Sequence, residues 1–123
     1  MENISSNSNK TIKIEEGEFL QYLKLAEEGN DDAQVNLGTC YRDGTGTIKD
    51  EAKAFQWYLK SAEGGNLTGQ YKLGNCYKDG IGTTKDEEKA FQWYMKSAEG
   101  GNNFGHNNLT TIYKNHISTK KYE

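Results

Sequence analysis

The chain contains no proline, and only two cysteines and two methionines among its 123 residues. With no proline ring to stop or kink a helix, every break has to come from glycine, of which there are fourteen. Two cysteines cannot build the disulfide framework of a small secreted domain. Hydrophobic residues make up only 33% and mean hydropathy is -0.97, so a single large core cannot be assembled. No apolar run reaches the roughly 18 residues of a membrane-spanning helix. The opening stretch, MENISSNSNKTIK, lacks the apolar segment of an export signal. Net charge is -3 with both signs interspersed, which leaves no basic field to gather nucleic acid phosphates. Neither a membrane nor a nucleic acid is therefore expected as a partner. The glycosylation sequons at Asn3, Asn9, Asn66 and Asn108 read as products of asparagine-rich composition, and the expected compartment is the reducing cytoplasm.

What the chain has instead is repetition. KAFQWYLKSAEGGN, residues 53–66, returns as KAFQWYMKSAEGGN at 89–102, a separation of 36 residues. Pairing 26–61 with 62–97 gives 24 identities over 36 positions. A period between about 20 and 50 residues marks a solenoid, in which each unit buries its apolar face on its neighbours. Eight tyrosines and two tryptophans suit the thin aromatic core such a stack needs.

Within the repeat, Phe55, Tyr58, Leu59 and Ala62 fall at i, i+3, i+4 and i+7, one stripe of an α-helix. Asp50 is placed to cap it, with Glu51 in the first turn, and Gly-Gly-Asn closes it. This helix B is predicted at 50–63 and again at 86–99. A second stripe of Ala54, Trp57, Tyr58 and Ser61 widens the apolar arc, so helix B is expected to be sandwiched. Trp57→Ala then costs about 3–5 kcal/mol if the ring is buried. Helix A is predicted at 31–43 and 67–79, from Gln34, Leu37, Gly38 and Tyr41 and their counterparts Gln70, Leu73, Gly74 and Tyr77. A mid-helix glycine costs about 0.5–1 kcal/mol relative to alanine, and Gly38 and Gly74 are therefore read as points of close helix contact.

The pattern A-E-x-G-N-x-x-x-Q-x-x-L-G-x-C-Y-x-D-G-x-G-T-x-K-D-x-x-K-A-F-Q-W-Y-x-K-S resembles the Sel-one-like repeat, a relative of the tetratricopeptide repeat. The resemblance spans Glu18 to Tyr113 and rests on the paired-glycine loop, Lys49-Asp50 and Lys85-Asp86, the Ala-Phe-x-Trp-Tyr helix and the closing Gly-Asn. Ile48 and Thr84 stand where the family often has proline. The fold this implies is all-α, a right-handed α-solenoid of stacked antiparallel helix pairs with about six helices. The expected domain plan is a disordered segment at 1–13, a solenoid at 14–116 and a flexible tail at 117–123. Inside the solenoid lie a capping helix at 15–28, repeats at 31–63 and 67–99, and a terminal helix at 103–115. The capping helix follows from Phe19, Tyr22, Leu23 and Ala26 on the inner stripe, with Glu18 and Gln21 where Ala54 and Trp57 stand. Two readings of the whole are open, a self-contained six-helix unit or the decayed end of a longer array, and the first is favoured.

No catalytic set, metal site or cofactor site emerges. Cys40 and Cys76 recur one repeat apart, too far for a disulfide and without neighbouring cysteine or histidine for a metal. The paired glycines at 44 and 46, and at 80 and 82, lack the preceding strand and third glycine of a dinucleotide site. His106 occupies the position of Gln34 and Gln70 and reads as a helix residue, and no Ser/His/Asp or Cys/His set is visible. The resemblance implies a non-catalytic adaptor for another protein or peptide, in signalling or complex assembly. The alternatives are a hydrolase of the kind suggested for cysteine-rich bacterial relatives, which would use Ser61 or Ser97, and a fragment of an array attached to a kinase. Helices A of such folds line the concave side, whose off-stripe residues here are Val35, Asn36, Thr39, Arg42 and Asp43 in the first repeat. Tyr71, Lys72, Asn75, Lys78 and Asp79 follow in the second, then Asn107, Asn108, Thr111 and Lys114. A monomer is expected, with weak self-association through the C-terminal end face if Leu109 and Ile112 stay exposed.

Overall fold

The computed structural model describes residues 2–121, with side chains described for residues 8–115. Six helices follow in order: α1 (Glu2–Glu27), α2 (Asp31–Asp43), α3 (Glu51–Glu63), α4 (Leu67–Asp79), α5 (Glu87–Glu99) and α6 (Asn103–Lys121). No strand occurs among the described residues, and each helix packs on the next, giving an all-α solenoid.

Capping by local side chains sets the helix boundaries. Asn30 and Asn66 accept the backbone N–H of Ala33 and Gly69 at the start of α2 and α4, at 2.9 and 2.8 Å. Asn102 does the same for Gly105 in α6 at 2.9 Å. Asp50 and Asp86 accept from Lys53 and Lys89 at 3.0 Å, starting α3 and α5. Each satisfies an N–H that the first turn leaves without a helical partner. Gly44 and Gly80 end α2 and α4 in the left-handed region, at φ 73° and 72°, and their N–H groups bond back to Cys40 and Cys76.

Packing follows the two stripes. Tyr58 and Tyr94 are 1% and 0% exposed and lie against Gly38 and Gly74. A Cβ on Gly38 would stand 2.7 Å from the Tyr58 ring, and one on Gly74 would stand 2.5 Å from the Tyr94 ring. The predicted close approach is therefore ring on backbone. Phe19 meets Tyr41 edge to face at 5.4 Å, and Phe55 meets Tyr77 at 5.5 Å, the same pair one repeat on. Gln34 and Gln70 donate across the helix pairs to the carbonyls of Ala26 and Ala62 at 3.2 and 3.3 Å. Trp57 and Trp93 occupy equivalent places, each half-buried with Lys60 or Lys96 over its ring. Because Trp57 is only half-buried, its truncation costs less than the full range for a buried ring.

Four expectations need correction. Residues 2–13, expected to be disordered, continue α1, because nothing between Glu2 and Glu16 is glycine or proline and a docked helix propagates readily. Met1 lies outside the described residues. For the same reason α6 does not stop at 115 but runs to Lys121, and Tyr122 and Glu123 lie outside the described residues. Val35 is 6% exposed within the main core cluster, so it packs and does not face a groove. Ile112 is 8% exposed against Ala90 and Tyr94, so it is packed and not open for self-association, whereas Tyr113 beside it is 56% exposed.

Candidate partner-binding face

The stack is asymmetric. The backbone of α2 approaches that of α4, and α4 that of α6, whereas among the described residues the backbones of α1 and α3, and of α3 and α5, stay farther apart. Helices that approach more closely lie on the inside of a bend, so α2, α4 and α6 form the concave side.

Beneath that side the buried tyrosines of the outer helices reach polar partners on α2 and α4. The Tyr58 hydroxyl shares a hydrogen bond of 2.8 Å with Thr39. The Tyr94 hydroxyl donates to Asn75 Oδ1, which also accepts from Asn108 Nδ2 at 3.2 Å. Thr39 and Asn75 therefore anchor the core tyrosines as well as lining the face. Asn75 and Asn108 form a polar step from α4 to α6.

The charged residues arrange as follows. Arg42 donates twice to Asp43, Nε at 2.9 Å and Nη2 at 3.2 Å. Those bonds hold the Asp43 carboxyl below its ordinary range, and Lys72, reaching across from α4, acts in the same direction. Lys72 also lies over the Tyr71 ring at 5.4 Å. Asn36, Asp79, Thr111 and Lys114 are exposed, Lys78 is half-buried, and Thr111 donates to the Asn107 carbonyl at 3.1 Å. Phe104, which the sequence reading missed, is 63% exposed and stacks on Tyr71 with centroids 5.3 Å apart. Its signal was an aromatic where the other repeats carry Asp32 and Thr68.

Nucleophiles are shielded. Cys40 and Cys76 are free and buried, and desolvation raises both thiols, Cys76 to about 12, which keeps them protonated at neutral pH. Ser61 and Ser97 are 0% exposed and donate to the carbonyls of Asp31 and Leu67 at 2.9 and 2.8 Å. Among the described residues the geometry thus offers contact and hydrogen bonding.

Residues 31–66 and 68–102 each match the family model of the Sel1 repeat, together more than half of the chain. The chain belongs to the Sel1 repeat family. Its fold is similar to a protective antigen of uropathogenic Escherichia coli strains displaying an SLR fold, at TM-score 0.77 and 38% identity. That match covers 80% of this chain and 21% of the antigen. A Sel1 repeat protein from Oxalobacter formigenes is 40% identical at TM-score 0.71, over 77% of this chain and 39% of that one. This chain thus spans well under half the length of either relative. Helicobacter pylori cysteine rich protein B shares the fold at TM-score 0.70 with 21% identity, over 87% of this chain and 95% of that one. No curated protein matches significantly. Sel1 repeat proteins are in general protein–protein interaction modules, and the fold is typically a non-catalytic scaffold.

Proposed function

We propose that this Sel1 repeat chain is a non-catalytic cytoplasmic adaptor that holds a peptide segment of another protein against its concave side, in signalling or in the assembly of a complex. The observation that carries this reading is the direct contact of α2 with α4 and of α4 with α6, which makes one continuous polar surface out of three helices. Asn36, Lys72, Asn75 and Asn108 offer donors and acceptors to an extended backbone, and the Tyr71–Phe104 stack offers a rigid apolar platform for a side chain. The free, buried thiols of Cys40 and Cys76 support a reducing compartment.

The test is selection of displayed peptides on the full chain, followed by affinity measurement of the hits. Tyr71→Ala combined with Lys72→Glu is expected to weaken binding by about tenfold or more, because aromatic anchors dominate such contacts. An unchanged Kd in a variant with unchanged helical content removes the concave side from the assignment.

A further inference from the structure

A cleft of about 510 Å³ lies between α5 and α6, lined by Glu87, Glu88, Phe91, Ile112 and Tyr113. The internal repeat says what such a place is for. Gly46, at φ 74°, lies so close to the middle of α1 that a Cβ would fall 2.2 Å from the Glu15 carbonyl oxygen and 2.9 Å from Phe19 Cβ. One repeat later Gly82, at φ 68°, stands in the same relation to α3, with 2.1 Å to the Glu51 oxygen and 2.8 Å to Phe55 Cβ. The second glycine of each Gly-x-Gly loop is thus seated on the same Glu-x-x-x-Phe turn of the preceding outer helix, mid-way along α1 and at the start of α3. Glu87 and Phe91 are the third members of the Glu15, Glu51 and Phe19, Phe55 series, and both line the cleft.

Among the described residues no third loop comes to this seat. Where Gly44 and Gly80 end α2 and α4, α6 carries residue 116 and stays helical to Lys121. Tyr41, which closes the first seat, is 8% exposed, whereas its counterpart Tyr113 is 56% exposed. The cleft therefore continues, by its place in the repeat, an interface that the molecule already forms twice.

We propose that the α5–α6 cleft is a docking site for a Gly-x-Gly loop running into an amphipathic helix, supplied by a separate Sel1-type chain. This chain's own two loops are already seated, so a second copy cannot supply one without unfolding. The occupant completes the third repeat from outside and joins two repeat proteins end to end.

The probe is a synthetic peptide with the sequence of residues 80–99, GIGTTKDEEKAFQWYMKSAE, titrated into the isotope-labelled full chain. Saturable amide shifts are expected at Glu87, Glu88, Phe91, Ile112 and Tyr113. A peptide carrying Gly82→Val is expected to bind about tenfold more weakly, because the side chain meets a backbone carbonyl in a conformation L residues avoid. Tyr113→Ser in the chain, at an exposed position that leaves the fold intact, is expected to abolish the shifts. Absence of shifts at millimolar peptide overturns the proposal. So does equal binding of the valine peptide, or a response at Glu15 and Glu51, which would mean that the probe displaces the resident loops. Concentration-dependent dimerisation of the chain that Tyr113→Ser removes would assign the cleft to a second copy and overturn it as well.

Discussion

Two glycines in the middle of helices make opposite predictions, and the difference is what stands next to them. Gly17, in α1, has nothing within 4 Å of an added Cβ. Gly17→Ala therefore gains helix propensity alone and is expected to raise stability by about 0.5–1 kcal/mol. At Gly74 the same methyl would stand 2.5 and 2.6 Å from two atoms of the fully buried Tyr94 ring. Overpacking costs about 1–3 kcal/mol and outweighs the propensity gain, so Gly74→Ala is expected to lower stability by about 1–2 kcal/mol. Urea midpoints of the two variants test the pair, and a Gly74→Ala midpoint at or above wild type would show that the ring yields freely. Titration adds a second residue-scale prediction. Burial pushes Cys76 from 9.0 up to about 12 and Tyr58 from 10.0 up to about 12, and shifts Tyr94 the same way. Between the ordinary and the raised values the unfolded chain has released a proton that the folded chain keeps, so stability falls as pH rises. These groups contribute fully below pH 9.0, and their contribution is lost progressively towards about 12. Urea midpoints between pH 7 and 11 should fall beyond about 9, and Tyr58→Phe should make the fall shallower. A midpoint constant to pH 11 in wild type contradicts the burial argument.

Elements were legible in the sequence wherever a cap and a break bracket a stripe. α2 and α4 run 31–43 and 67–79 as predicted, because Asn30 and Asn66 start them and Gly44 and Gly80 stop them. The outer helices begin one residue inside the prediction, with Asp50 and Asp86 as the caps themselves. Legibility failed at the two ends, where no glycine or proline marks a limit and polar composition was taken for disorder. It failed at Val35 for a packing reason. α2 touches α1, α3 and α4, so the arc left to solvent is narrower than the stripe of Gln34, Leu37, Gly38 and Tyr41 implies. The glycine seat at α5 could have been found by sliding the register, since Gly82 maps to Ser118 and the loop motif disappears. Reading that loss as a feature required knowing what Gly46 and Gly82 touch. Caps also give a prediction at this scale. Asn66 accepts from Gly69 N–H and donates to Asp32 Oδ1 at 2.7 Å, joining two repeats. Asn66→Ala is expected to cost about 1–2 kcal/mol, and Asn102→Ala, for which the cap is the described bond, about 1 kcal/mol. Equal losses in urea denaturation would mean that the exposed bond to Asp32 contributes nothing.

For the whole molecule, the burial pattern decides how the stack comes apart. One core cluster links Ala26, Val35, Leu37, Tyr58, Leu73 and Cys76 from α1 to α4. A smaller one of Ala90, Tyr94 and Ile112 holds α5 and α6 together. Each repeat buries surface only on its neighbours, so stability is close to a sum of unit and interface contributions, and opening begins where the interface is smallest. Amide hydrogen exchange should therefore show the strongest protection in α2–α4 and weaker protection in the two end helices, α1 and α6, each covered on one side only. Ile112→Ala sharpens the test. The side chain is 8% exposed, and truncating a buried isoleucine costs about 2–5 kcal/mol. In a modular stack that loss falls on α6 and the facing turns of α5, while exchange in α2 and α3 stays at the wild-type rate. In a globule with one shared core, every helix would speed up together. Uniform acceleration would place the chain in the second class, and with it would go the reason for expecting an end face that accepts another repeat.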